Sequence, residues 1–435
     1  MTDLLPTRWY NIRADVPFEL PETRFEGGSP PAKDGPMTSP RLVAQNMSPM
    51  PNLRIPEEVR AAYRLWRPTP LRRARTLEAA LKTPAKIYYK YEGTSPTGTF
   101  KVNTALAQAF LLKQDGVKRL TTHSNDGYWG SSLAFACHRF GLDLSIYLLR
   151  GTLDAQPTRK VLMESFGADV QDGARTVGEA VSQALVTAVR SKGDIRFATG
   201  FLTDYVLLHN TVIGLEAEAQ MQLEGATPDV IFACASSGAN FGGLCFPFLR
   251  HVLAEEAETR VVAVESAACP SMTRGRYIYE HPDREALSPQ FKMYTVGRNY
   301  QHPEGHLGSL IFHGLSPLVS ALVAEDYVEP MAVKQTEAFA AGLRFLKAEG
   351  ILPAPECAHA VHAAIEEAER CREAGEEKTI LVGISGHALL DTRGYRALRD
   401  GTLEDLIPTD DEIKAWLPEG AWDDPENFDA DSTYA

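Results

Sequence analysis

Several things are missing from this chain of 435 residues. No apolar run is long enough to cross a bilayer, so no membrane association is expected. The six cysteines (137, 234, 245, 269, 357 and 371) are scattered and form no C-x-x-C pair. They read as buried free thiols of a reducing compartment rather than a disulfide framework. An excess of basic charge is lacking too: 44 Lys and Arg stand against 57 Asp and Glu, a net charge of −13. A nucleic-acid surface is therefore not expected. The eleven histidines show no H-E-x-x-H or related spacing, so no metal site is expected. The start, MTDLLPTRWYNIRADVPFELP, has no basic stretch leading into an apolar one. A secretory signal is not expected, and a cytoplasmic location is.

What remains is ordinary for a folded chain, with 44% hydrophobic and 23% charged residues. The length suits one large or two medium domains with a sizeable core. Residues 1–55 are rich in Pro and Gly, as in PPAKDGP and SPMPNL, and read as an extended arm wrapping the body. The pattern then becomes regular. PEEVRAAYRLW is a Pro-started helix with acids in its first turn. KIYYKYE (86–92), RLTTHS, LSIYLL, DVIFACAS (229–236), RVVAVES (260–266) and KTILVGIS (378–385) are strands. Between them lie helices: NTALAQAFLLKQDG (103–116), read as capped by Asn103 and stopped by Gly, then YWGSSLAFACHRFG, QPTRKVLMESFG, KQTEAFAAGLRFLKAEG and AHAVHAAIEEAERCREAG. Short apolar strands alternating with helices mean parallel βαβ units with both sheet faces covered. The expected fold is α/β, with two doubly wound parallel-sheet domains. Beyond Thr409 nine acidic residues stand against one lysine. That segment reads as a solvated, partly disordered tail, which Trp416 and Trp422 could dock on the body or on a neighbouring subunit.

In open α/β sheets ligands lie beyond the carboxyl ends of the strands. Four loops follow apolar strands: SPTGTFK, THSNDGYWG, SSGANFGG and SGHALL. SSGANFGG (236–243) has small residues before a helix and suits a phosphate, although a tight turn needing Gly for its backbone angles would look the same. It carries neither G-K-[ST] nor G-x-G-x-x-G. Lys101 lies in a Ser/Thr/Gly loop just before a helix. A phosphate cradle plus a lysine able to form a Schiff base is the combination that pyridoxal phosphate requires.

Longer stretches carry more weight: IPEEVRAAYRLWRPTPLRRARTLEAAL, LLHNTVIGLEAEAQ, NFGGLCFPFLR, VAVESAACPSMTRGRY, EGILPAPECAHA and SGHALLD among them. Over roughly residues 8–400 the chain resembles the β subunit of tryptophan synthase, in its alternative, stand-alone form with an N-terminal arm. The resemblance implies a fold-type II enzyme with pyridoxal 5'-phosphate between two domains. The larger, cofactor-binding domain would comprise 56–100 and 216–405, the smaller mobile one 101–215, and the acidic tail 406–435. It implies that Lys101 holds the cofactor and moves the Cα proton. Ser236, Ser237, Gly238, Ala239 and Asn240 would bind its phosphate, and Ser385 its pyridine nitrogen. Glu356 would lie near the ring, with Asn103 near the phenolic oxygen. A homodimer acting on a small amino-acid substrate, with no α-type subunit required, completes the expectation.

The departures from that family gather in one loop. Where the family reads T-E-T-G-A-G-Q-[HW]-G, this chain has T-H-S-N-D-G-Y-W-G. His123 replaces the glutamate that handles the ring proton of indole. Ser124, Asn125, Asp126 and Gly127 replace the small-residue cup for the substrate carboxylate, and Tyr128, expected to offer its hydroxyl to the cofactor or substrate, replaces the glutamine after it. Phe100 stands where His is common. An imidazole titrates near ~6.5, so His123 is expected to act as acid or base at neutral pH. A carboxylate at 126 facing the substrate carboxylate at ~4 Å would cost about 4 kcal/mol at an effective dielectric of ~20. Asp126 therefore points away, meets a cation, or transfers a proton. D-G-Y-W-G is also similar to D-G-N-H-G of diaminopropionate ammonia-lyases, where the aspartate is a catalytic base. The expected activity is β-elimination or β-replacement on an amino acid, with a partner other than indole. The alternatives are an ordinary tryptophan synthase β chain and a catalytically silent paralogue kept as a binding partner.

Overall fold

The computed structural model describes residues 4–25, 39–150, 156–174, 177–286 and 288–423. PPAKDGP in the arm and the last part of the acidic tail lie outside these residues. Fourteen strands occur among the described residues: β1 (Arg8–Tyr10), β2 (Asn52–Arg54), β3 (Leu71–Arg73), β4 (Lys86–Tyr91), β5 (Arg119–Ser124), β6 (Asp143–Leu149), β7 (Asp169–Ala174), β8 (Ile195–Phe197), β9 (Val230–Cys234), β10 (Arg260–Ser266), β11 (Arg276–Glu280), β12 (Phe291–Thr295), β13 (Glu329–Val333) and β14 (Thr379–Ile384).

Two sheets organise them. The larger runs β13-β10-β9-β14-β4-β3, the smaller β7-β6-β5-β8. The two middle strands, β9 and β14, are apolar along nearly their whole length because helices cover both faces. Every residue of β9, VIFAC, is buried, and β14, TILVGI, is buried after its first residue. Ile380 of β14 sits opposite Val230 on one side and Ile87 on the other, in parallel register.

The strict parallel expectation fails at the edges. β3 runs antiparallel to β4, and β11–β12 form a separate antiparallel ribbon. Edge strands need no crossover connection, and their three to five mixed residues carry little apolar signal. The arm begins by pairing β1 with β2, and Trp9 of β1 is fully buried. No helix among the described residues is long and apolar enough to cross a membrane. All six cysteines are buried and unpaired with one another.

One helix start differs from expectation. The helix predicted from Asn103 runs Val102–Gln114 with Lys101 at its N-cap, which puts Asn103 inside the first turn. Its side chain caps nothing, and its Oδ1 accepts from Arg67 Nε and Nη2 at 3.2 and 3.1 Å. Arg67 also pairs with Glu92 (2.5 Å) and Glu216 (2.7 Å), and Glu216 with Lys90 (2.9 Å), all fully buried or nearly so. This balanced ionic cluster, with the Tyr63 hydroxyl donating to the Asn103 carbonyl oxygen at 2.8 Å, fixes the helix that follows Lys101.

Candidate active site

The loops leaving β4, β5, β9 and β14 at their carboxyl ends converge. The Phe100 N–H donates to the Ser385 carbonyl oxygen at 2.9 Å, which ties the Lys101 loop to the turn after β14. A cavity of about 1890 Å³ opens between the sheets. Lys101, His123, Ser124, Asn125, Asp126 and the run Ser236, Ser237, Gly238, Ala239, Asn240 all line it.

The turn after β9 is built for an anion. Gly238 has φ +96° and precedes the Ala239–Leu253 helix, whose first N–H groups have no intrahelical acceptor. A Cβ on Gly238 would come within 3.0 Å of Ser316 Oγ and Val319 Cγ2, so the close approach also requires Gly. The Ser236 hydroxyl is already committed, donating to the Ser309 carbonyl oxygen at 2.6 Å. That leaves the backbone and Ser237 as the ligand-facing groups.

Behind Cys234, which borders the cavity, lie Ser385 and Glu356, both fully buried. Ser385 Oγ is 3.5 Å from Glu356 Oε1, while Glu356 Oε2 is buried with no hydrogen-bond partner. Burial and the nearby Asp126 charge push the Glu356 carboxyl up to about 7, against the opposing pull of Lys101 and Arg159.

The loop after β5 is held by its own side chains. Gly127, at φ +80°, turns the chain into the Tyr128–Phe140 helix. Ser124 Oγ accepts from the Gly130 N–H at 3.1 Å, and Asp126 Oδ1 from the Tyr128 N–H at 2.9 Å. Asp126 Oδ2 is buried without a partner. Two expectations are corrected here. The Tyr128 hydroxyl is not offered to the cavity; Tyr128 is fully buried, and its hydroxyl donates to the His387 carbonyl oxygen at 3.2 Å. His123 is not poised at neutral pH either. Burial, helped by the Lys101 charge, lowers it to about 4, so its imidazole is neutral at pH 7. It stacks parallel to Phe197 (6.2 Å, 4°) and meets Phe201 edge-on (5.3 Å, 80°). Asn103, held by Arg67, is not among the cavity-lining residues.

Arg159 packs behind the loop 124–128, is not itself among the cavity-lining residues, and is a feature the sequence did not reveal. It is 1% exposed and its guanidinium carbon lies 3.3 Å from the centroid of the Tyr128 ring. In QPTRKVLMESFG it looks like one more solvated charge on a helix, and only the folded contact exposes it.

A lysine and a helix N-terminus lining one cavity, at the carboxyl ends of strands from two sheets, are features of one class, the fold-type II enzymes. The family model described as "Pyridoxal-phosphate dependent enzyme" matches residues 63–386, and the chain belongs to that family. It is similar to tryptophan synthase beta chain 2 of Aeropyrum pernix, 44% identical over 427 residues, 93% of this chain and 95% of that protein. The tryptophan synthase beta chain of Pyrococcus horikoshii is 44% identical over 428 residues, 93% and 92% of the two chains. Among solved structures, the processed threonine deaminase isoform 2 of Solanum lycopersicum shares the fold, with a TM-score of 0.62 at 17% identity over 88% of this chain and 98% of that one. The cofactor is pyridoxal phosphate. The donor set fits it: a cavity-lining lysine, a helix N-terminus with no side-chain cap, a buried serine hydroxyl and an orphaned carboxyl oxygen.

Proposed function

We propose that this enzyme removes a substituent from the β carbon of an amino acid and then either adds a nucleophile there or releases the product, with a partner other than indole. The observation that carries the second clause is His123. A neutral imidazole between Phe197 and Phe201 stands where the tryptophan synthase family carries a glutamate.

Bound pyridoxal phosphate supplies a ring that draws electrons from the substrate's Cα and so makes its proton removable. In this proposal Lys101 would hold the cofactor covalently, and its amine would move the Cα proton. The turn 236–240 takes the phosphate. Ser385 would hold the ring nitrogen with a neutral hydroxyl rather than a carboxylate, and a ring so held would favour departure of the β group. The loop 124–127, at the start of the Tyr128–Phe140 helix, receives the α-carboxylate. Asp126 keeps one oxygen in the turn and has the other free to accept a proton. His123 hydrogen-bonds the incoming nucleophile or leaving group from the aromatic wall. The two-domain division at about 56–100 with 216–405 and at 101–215 belongs to this reading, as does a homodimer that needs no second kind of subunit.

The wild-type protein should be yellow, and Lys101→Ala should lose both the visible absorbance of the covalent cofactor and turnover. A colourless wild type would return the chain to the silent-paralogue reading. The second reading is a tryptophan synthase β chain proper, favoured by the 44% identity of the relatives and by the aromatic wall of the cavity.

A further inference from the structure

The loop 124–128 rests on Arg159. A Cβ built on Gly127 would lie 2.8 Å from Arg159 Cδ, so the turn packs directly on the arginine stem. The guanidinium then lies flat against the Tyr128 ring, in the cation–π arrangement. Nε, Nη1 and Nη2 are all buried, and none has a hydrogen-bond partner.

This is an unusual state for an arginine. A buried guanidinium that has left water is strongly unfavourable unless an anion and hydrogen-bond acceptors replace the solvent. Stacking on a tyrosine compensates only in part. No nearby acid bonds it, although Asp126 Oδ2 and Glu356 Oε2 are themselves buried without partners. Asp391 is bonded by Gln156 (3.2 Å) and Arg393 (3.0 Å), and Asp126 Oδ1 by Tyr128 N–H. Glu356 feels the Arg159 charge without bonding it, and its carboxyl is pushed up to about 7. A vacant cation thus adjoins the start of a 13-residue helix, whose N-terminus favours negative charge for its own reasons.

We propose that Arg159 is an anion-binding residue of the substrate site, receiving an oxyanion of the amino-acid substrate where the loop 124–127 meets the Tyr128–Phe140 helix. The oxyanion is the α-carboxylate or an anionic substituent at the β carbon. Both offer the planar or trigonal set of acceptors that a guanidinium bonds in pairs. The proposal rests on the reading of 124–127 as the substrate loop. It also accounts for how that loop tolerates Asp126: a cation packed under the turn offsets the acid's repulsion of the substrate.

The test uses the holoenzyme of wild type, Arg159→Met and Arg159→Lys. Each is titrated with L-alanine, which carries only the α-carboxylate, and with L-aspartate and O-phospho-L-serine, which add a β anion. The change in cofactor absorbance reports binding, and thermal unfolding of the substrate-free protein reports stability. Arg159→Met should keep the resting absorbance, bind at least one of these ligands tenfold or more weakly, and melt no lower than wild type, because an unpaired buried charge is gone. Arg159→Lys should bind with intermediate affinity. Weakening of all three ligands assigns the α-carboxylate; weakening of the last two alone assigns the β anion. Unchanged affinities for all three, with a lower melting temperature in Arg159→Met, would make Arg159 a packing residue and overturn the proposal. A wild-type spectrum that responds to no amino acid would sink the substrate-site reading itself, and this proposal with it.

Discussion

Asp126 Oδ1 accepts a hydrogen bond from the Tyr128 N–H at 2.9 Å, while its other oxygen is buried and unpartnered. One carboxylate thus holds the turn and presents a free acceptor at the cavity edge. Asp126→Asn keeps an oxygen for the Tyr128 N–H and removes the base. Stability should change little, whereas turnover should fall by about 10² to 10⁴, the usual contribution of a positioned base. Asp126→Ala should add a stability loss of about 1 kcal/mol for the lost turn bond. Turnover in Asp126→Asn equal to wild type would leave the residue a purely structural role.

The buried ionic cluster behind Lys101 predicts a large effect from a residue far from the chemistry. Arg67→Met leaves Lys90 as the one cation of the cluster against Glu92 and Glu216, and frees the Asn103 Oδ1. Breaking a buried network by removing one partner costs about 3–5 kcal/mol. Denaturant unfolding of wild type and variant measures it, and a loss below about 1 kcal/mol, the ceiling for an exposed pair, would contradict the assignment.

Titration of buried groups sets the pH dependence of stability. Burial lowers His123, His313 and His359 to about 4 and His209 to about 3. These imidazoles charge more readily in the unfolded chain, so their contribution is present above their ordinary value of ~6.5 and is lost as pH falls toward about 4. Burial raises Glu265 and Glu356 to about 7, and their contribution runs the other way, lost as pH rises through about 7. Four groups outweigh two between pH ~4.5 and ~6.5. Melting temperature should climb across that interval and level or decline above it. A flat or falling profile below pH ~6.5 would contradict the assigned burial of these histidines.

The acidic C-terminal segment is a strap as far as residue 423. The Asp410–Trp416 helix is closed by a Thr409–Glu412 capping box. Trp416 meets Tyr300 edge-on at 5.0 Å, and Trp422 stacks under Arg276 at 3.9 Å. Tyr300 lines the cavity, so the strap backs the cavity wall. Trp416→Ala should cost roughly 2 kcal/mol, less than a fully buried aromatic would. It should raise KM for the nucleophile while leaving cofactor absorbance intact. Unchanged KM and stability would reduce the strap to a passive tail.

The regular middle of the fold was legible in the sequence because β9 and β14 are apolar runs, β4 and β10 are rich in aromatic or β-branched residues, and helices lie between them. Short strands such as β3, β8 and β13 were not, since three to five mixed residues carry no period. Asn103 looked like a cap, and only the contact with Arg67, 36 positions away, shows what it holds. For the site, loop position and family resemblance pointed to Lys101, residues 123–126 and 236–240, which line the cavity, and also to Asn103, Gly127, Tyr128, Glu356 and Ser385, which do not. Local sequence could not report that the Tyr128 hydroxyl is spent on a backbone carbonyl, that His123 is dry, or that Arg159 is buried. Each of these depends on burial, which is a property of the assembled chain.

The most direct measurement is a product analysis of the holoenzyme supplied with L-serine and indole, beside a panel of amino acids with other leaving groups. The account predicts that an amino acid from the panel is converted to a keto acid with ammonia, or to a β-substituted product, faster than tryptophan forms. Rapid and preferred formation of tryptophan from serine and indole would contradict it, and would place this chain with its relatives in activity as well as in fold.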